Sequence, residues 1–79
     1  MPTVTIYTRK TCGPCKTVKW FLSKKGVTYV EKDIDDEENF KEFAGLTPLQ
    51  MVPLTIIGGS QIQGLNIPSI TRALDFYAK

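Results

Sequence analysis

Cys12-Gly13-Pro14-Cys15 stands between an alternating, β-branched run at residues 4–8 and an amphipathic segment that begins at Pro14. This placement limits the fold more than any other feature of the chain. A strand must feed directly into a helix, with both thiols at the helix's first turn. Pro14 suits that turn, where its missing N–H has no partner to lose. Cys15, Val18 and Leu22 then recur at i, i+3 and i+7 as one apolar stripe, with Phe21 on its flank, and Gly26 ends the helix as a left-handed cap.

Residues 27–34 read as a second strand. Asp35-Asp36-Glu37-Glu38 offers an acidic cap with a Glu three positions later, so a short helix starts there in capping-box style. Phe40, Phe43 and Ala44 supply its buried stripe, Gly45 stops it, and 46–48 is loop. Residues 52–57 form a third strand. Gly58-Gly59 and Ser60 turn the chain into a fourth strand around Ile62, which Gly64 breaks. Asn66 and Pro68 open a closing helix that buries Ile70, Leu74 and Tyr77. The order is β-α-β-α-β-β-α. Its first crossover is right-handed and parallel and its hairpin antiparallel, so an α/β fold with a mixed four-stranded sheet flanked by helices is expected. Seventy-nine residues make one domain over 1–79, without room for a deep ligand cavity.

Composition removes several classes of function. The net charge of +2 is too small to argue for nucleic acid. No apolar run reaches the ~20 residues of a membrane span, and the first residues lack a signal-peptide layout, so a cytoplasmic monomer is expected. With no histidine, imidazole acid–base chemistry and His-ligated metals are excluded. Charge is nevertheless segregated: residues 9–25 carry six cations and no acid, and residues 31–42 carry seven acids against two cations. These are either two solvated faces of opposite sign or, around the thiols, a field that tunes them.

A helix N-terminus leaves amides unpartnered and carries about half a positive charge, which stabilises a thiolate there by ~1 kcal/mol. Arg9, Lys10 and Lys16 act in the same direction. Cys12 is therefore expected to ionise below the ordinary thiol range. Cys15, on the apolar stripe, is buried but close enough for a disulfide. The pair reads as a dithiol–disulfide oxidoreductase: Cys12 attacks a target disulfide, then Cys15 attacks Cys12 and releases the reduced target. Gly13 leaves the approach open and Pro14 keeps the turn stiff. Its potential is expected between about −200 and −280 mV. A metal- or iron–sulfur-binding module would need ligands from a second chain or from carboxylates. A structural disulfide closing so short a loop would stabilise little. A redox-inert peptide-binding domain is the remaining alternative. Trp20 is expected to cover the edge of the core, Tyr7 can face either side of its strand, and Gly58-Gly59 is a turn rather than a phosphate loop.

Tyr7-Thr8-Arg9-Lys10-Thr11-Cys12-Gly13-Pro14-Cys15, Met51-Val52-Pro53, Gly58-Gly59 and Gly64 together resemble the glutaredoxin branch of the thioredoxin superfamily in order and spacing, over nearly the whole chain. The closest look is to the glutaredoxin-like NrdH-redoxins. The resemblance implies a thioredoxin fold, Cys12 as nucleophile and Cys15 as resolving thiol. It implies a cis Pro53 facing them, where the residues alone suggest a trans proline at a strand start. It also implies that the backbone of Val52 pairs with an extended target or thiol ligand in a groove that includes Tyr7, Arg9, Met51, Gly64, Leu65 and Asn66. Arg9 takes the place of a lysine that meets a glutathione carboxylate. No bound cofactor is implied, only the redox-active Cys12–Cys15 disulfide, with reducing equivalents from NADPH through thioredoxin reductase or glutathione. Protein disulfides, ribonucleotide reductase among them, are the implied substrates. Three departures matter. Gly13-Pro14 is the thioredoxin pair, Met51 replaces a threonine, and Gly64-Leu65-Asn66-Ile67 lacks the acids that grip glutathione. Losing those anchors removes a few kcal/mol of glutathione affinity and favours a protein-type reductase as donor.

Overall fold

The β-branched segment becomes β1 (Val4–Thr8) and occupies the interior of the sheet in the computed structural model, which describes residues 3–48 and 50–78. β2 (Val30–Asp33) runs parallel to it on one side and β3 (Leu54–Ile57) antiparallel on the other. β4 (Ser60–Gln63) pairs antiparallel with β3, giving the order β2-β1-β3-β4. α1 (Gly13–Lys24) and α3 (Ile67–Ala78) cover one face, where Ile6, Val18, Leu22, Ile57 and Ile70 are fully buried. α2 (Glu37–Leu46) covers the other through Phe43, packed with Tyr7, Ile34 and Leu54. This is the thioredoxin fold, with the expected element order. No helix among the described residues is long and apolar enough to cross a membrane.

Local chemistry explains where the elements start and stop. Cys15, Val18 and Leu22 are the buried residues of α1, as their spacing requires. Gly26 adopts φ +71, and its N–H and that of Val27 donate back to Ser23 and Leu22, both at 3.0 Å. That cap turns residues 27–29 away from β1, so β2 begins at Val30 rather than at Val27, and pairing starts at Thr5 opposite Val30. A groove of about 500 Å³ opens where the strands diverge, between Val4, Tyr29 and Leu74.

Three other expectations are corrected. Asp36, not Asp35, caps α2, accepting from the amides of Glu38 and Asn39 at 3.0 and 3.2 Å. This puts Asn39 at the third helical position, so no glutamate arm closes a capping box; Asn39 donates instead to the Asp33 carbonyl at 3.1 Å. Gly45 lies within α2, which continues to Leu46 because the cap is the extended Thr47. Trp20 is 61% exposed, about 140° round α1 from Cys15 at 3.6 residues per turn, with the Lys24 ammonium 5.6 Å from the centre of its ring.

α3 is fastened to the hairpin through a glycine. Gly58 has φ +58, and a Cβ there would lie 2.6 Å from the Tyr77 ring, while the Gly59 N–H donates to the Tyr77 hydroxyl at 3.1 Å. That hydroxyl ionises below its usual range because the backbone hydrogen bond favours the phenolate. Gly58→Ala meets both a left-handed backbone and an aromatic clash. It is expected to lower stability by about 2–4 kcal/mol, read as a shift in the urea midpoint with an unchanged slope.

Candidate active site

Strand register gathers the site residues at one end of the sheet. Tyr7 is opposite Leu54, and Leu54 is opposite Gln63. The chain therefore leaves β1 for the cysteines, enters β3 from Met51-Val52-Pro53 and leaves β4 into Gly64-Leu65-Asn66 at the same end. Three segments distant in sequence converge there because antiparallel pairing alternates strand direction.

Cys12 is the N-cap of α1, with extended backbone at φ −90 and ψ 109. A turn delivers it there, its N–H donating to the Arg9 carbonyl at 3.1 Å. Its Sγ accepts the Cys15 N–H at 3.1 Å, so a helix-terminal amide points at the sulfur as expected. Cys15 is 1% exposed and Cys12 only partly buried. Their Cα atoms are 5.3 Å apart and the two are joined as a disulfide. Pro14 lies in the first helical turn, and a Cβ on Gly13 would meet nothing within 4 Å. Among the described residues no group of three or more His, Cys, Asp or Glu side chains is placed to hold a metal ion.

The loop that enters β3 at this end has the cis proline that the resemblance implied. The Val52–Pro53 peptide bond is cis, Pro53 is buried, Val52 is half-buried and Met51 is exposed. The Gly64 N–H donates to the Pro53 carbonyl at 2.8 Å. Sequence reading missed the residue that shapes this loop. Gln63 at the end of β4 donates through Nε2 to the Met51 carbonyl, and the buried Thr47 hydroxyl donates to its Oε1 at 3.2 Å. A glutamine turned inward on a strand edge was the available signal, but both partners are remote in sequence.

The remaining groove candidates have defined partners. The Arg9 guanidinium lies 3.3 Å from Asp35, and the Asn66 side-chain oxygen caps α3 by accepting from Ser69 N at 3.3 Å. Leu65 is exposed. Tyr7 is buried against Phe43, and its hydroxyl donates to Glu42 at 3.0 Å. Burial, and then the hydrogen bond to Glu42, push its ionisation above the usual tyrosine range. Glu42 is held ionised below the usual carboxylate range by Lys32, and Glu31 by Lys19 and the Thr8 hydroxyl. Lys19–Glu31 thus joins the basic segment to the acidic one across α1 and β2, Lys32–Glu42 pairs within the acidic segment between β2 and α2, and the first turn of α1 has no acid to offset its field on Cys12.

A thioredoxin fold with a Cys-x-x-Cys disulfide at the start of its first helix defines a thiol–disulfide oxidoreductase. The glutaredoxin family model matches residues 4–62. The chain belongs to the glutaredoxin family. An uncharacterized glutaredoxin-like 8.6 kDa protein of a rubredoxin operon in Clostridium pasteurianum is 30% identical over 73 residues, covering 91% of this chain and 97% of that one. The crystal structure of a glutaredoxin from Archaeoglobus fulgidus has a TM-score of 0.78 at 26% identity, over 94% of this chain and 87% of that one. The glutaredoxin-like NrdH-redoxin from Escherichia coli also has a TM-score of 0.78, at 24% identity over 89% and 92% of the two chains; that likeness shows the fold alone.

Proposed function

We propose that this protein is an electron carrier that reduces protein disulfides, with Cys12 as nucleophile and Cys15 as resolving thiol. The observation that carries this reading is the asymmetry of the pair. Cys12 is half-buried and its Sγ receives a helix-terminal amide, whereas Cys15 lies on the buried face of α1. The amide and the helix field favour the Cys12 thiolate, which attacks one sulfur of the target cystine and expels the other as a thiolate. Cys15 then displaces the remaining target sulfur from Cys12 and closes the intramolecular disulfide.

Val52 supports recognition of an extended target. Among the described residues its amide and carbonyl make no hydrogen bond, and it adjoins the cis Pro53 at the same end of the sheet as the cysteines. A strand-like segment can pair there as an added edge strand. Ribonucleotide reductase is the protein target that the NrdH-like sequence suggests, and the cytoplasm is the compartment in which such a cycle runs.

A thioredoxin reductase drawing on NADPH is the preferred donor over glutathione. Arg9, in the position that would meet a glutathione carboxylate, is engaged by Asp35, and the 64–67 segment offers no acid for the γ-glutamyl amine. Insulin reduction run in parallel with NADPH plus thioredoxin reductase and with NADPH, glutathione and glutathione reductase tests this. Turnover is expected in the first arm and at least about tenfold less in the second, since each lost charged contact is worth ~1.5 kcal/mol or more. Turnover only with glutathione would reverse the donor assignment, and turnover in neither would overturn the carrier reading.

A further inference from the structure

Among the described residues, one side-chain polar atom is fully buried without a hydrogen-bond partner: the Thr55 hydroxyl. Thr55 is 0% exposed in β3, between Ile6 of β1 and Ile62 of β4. Side chains alternate along a strand, so Thr55 shares the α1/α3 face with Ile57, while Leu54 packs on the α2 face with Tyr7 and Phe43. Ile6 and Ile62, its cross-strand neighbours, belong to the same core as Val18 and Leu22 of α1. Cys15 heads the stripe that Val18 and Leu22 continue, one helical turn nearer the end of the sheet at which β3 begins. Thr55 is the second residue of β3. The orphan hydroxyl and the buried sulfur therefore occupy the same face at the same end of the molecule.

A buried hydroxyl without a partner is unfavourable, and valine would fill the same volume without that penalty. In the oxidised protein no acceptor, sulfur included, lies in hydrogen-bonding geometry of this hydroxyl; reduction breaks the S–S bond and frees the Cys15 sulfur to turn about its Cα–Cβ bond, and a buried thiolate is a strong acceptor that needs a donor. We infer that Thr55 is the hydrogen-bond donor to the Cys15 sulfur in the reduced protein and in the mixed disulfide. This inference rests on Cys15 being the resolving thiol. The hydroxyl keeps its own proton. It stabilises the Cys15 thiolate, which attacks Cys12 Sγ; the Cys12–target S–S bond breaks, the Cys12–Cys15 bond forms, and the electron pair leaves on the target sulfur, which takes a proton from water. In the oxidised protein the Cys15 sulfur is held toward Cys12 by the disulfide, and the Thr55 hydroxyl has no partner.

The test is Thr55→Val beside Thr55→Ser, each made alone and combined with Cys12→Ser so that Cys15 is the single thiol. In the Cys12→Ser background, Thr55→Val is expected to raise the Cys15 pKa by about one unit, a tenfold loss of thiolate at a given pH. In the chain with both cysteines it should slow release of a reduced target from the mixed disulfide about threefold at neutral pH, because the scarcer thiolate is also more nucleophilic, whereas Thr55→Ser stays near the parent in both readouts. Unchanged Cys15 titration in folded Thr55→Val would overturn the inference, as would equal shifts in valine and serine variants. A Cys15→Ser control separates the two layers. If it accumulates mixed disulfide while Thr55→Val changes nothing, only the Thr55 assignment falls; if it turns over normally, the resolving role of Cys15 falls first.

Discussion

Cys12→Ser is expected to abolish disulfide reduction, lowering insulin-reduction turnover on the order of 10³-fold or more, because a serine hydroxyl is not ionised at neutral pH and cannot replace a thiolate nucleophile. Cys15→Ser should behave differently. Its Cys12 still occupies the cap position of α1 with a backbone amide aimed at it. Attack on a target therefore proceeds, and the protein accumulates as a covalent adduct whose mass equals both partners. Intact-mass spectrometry after mixing with an oxidised target distinguishes the variants. Adduct with Cys12→Ser and none with Cys15→Ser would invert the assignment of roles. Adduct with neither would mean that the pair is not the reacting centre.

The second large effect concerns the opposite face of the sheet. Phe43 is the one fully buried residue of α2 and touches Tyr7, with ring centroids 5.7 Å apart. Phe43→Ala removes that anchor and leaves a cavity, which costs about 3–5 kcal/mol. A chain of this length holds roughly 4–12 kcal/mol of stability in total, so the variant should be close to unfolding at room temperature. Urea denaturation of the reduced and oxidised forms measures the loss. A decrease under ~1 kcal/mol would show that α2 is held by its ion pairs with β2 and its Asp36 cap instead of by this ring.

Much of this architecture was legible in local sequence chemistry. The β1 strand, the Cys15/Val18/Leu22 stripe and the Gly26 cap depend on residues within a turn or two of one another and appear as read, although β1 is buried on both faces instead of alternating. So does the cysteine pair at the strand–helix junction. What local pattern could not supply was set by partners elsewhere. Residues 27–29 keep strand-like composition, but the bonds from Gly26 and Val27 back into α1 steer them off β1. Gly45 is tolerated within α2 because the helix is ended by Thr47, which is held in turn by Gln63 sixteen positions later. Trp20 looked like cover for the core and instead lies under a lysine of its own helix, because its helical position points it away from the face that Val18 and Leu22 bury. The cis bond before Pro53 was implied only by family resemblance, since nothing in a single proline's neighbours dictates its isomer.

Convergence of three short connections on one rim makes the molecule a fixed template. The cis-proline loop and the β4 exit are bonded to each other beside their strand ends through the Gly64 N–H and the Pro53 carbonyl, and the cysteine turn leaves β1 at Thr8 and closes on the Arg9 carbonyl. On the function proposed above, adaptation on docking falls to the other molecule, which would offer its cystine on a stretch able to straighten along the rim. Selectivity among cellular disulfides would follow as much from how loosely each one is tethered in its own protein as from any side chain on this one.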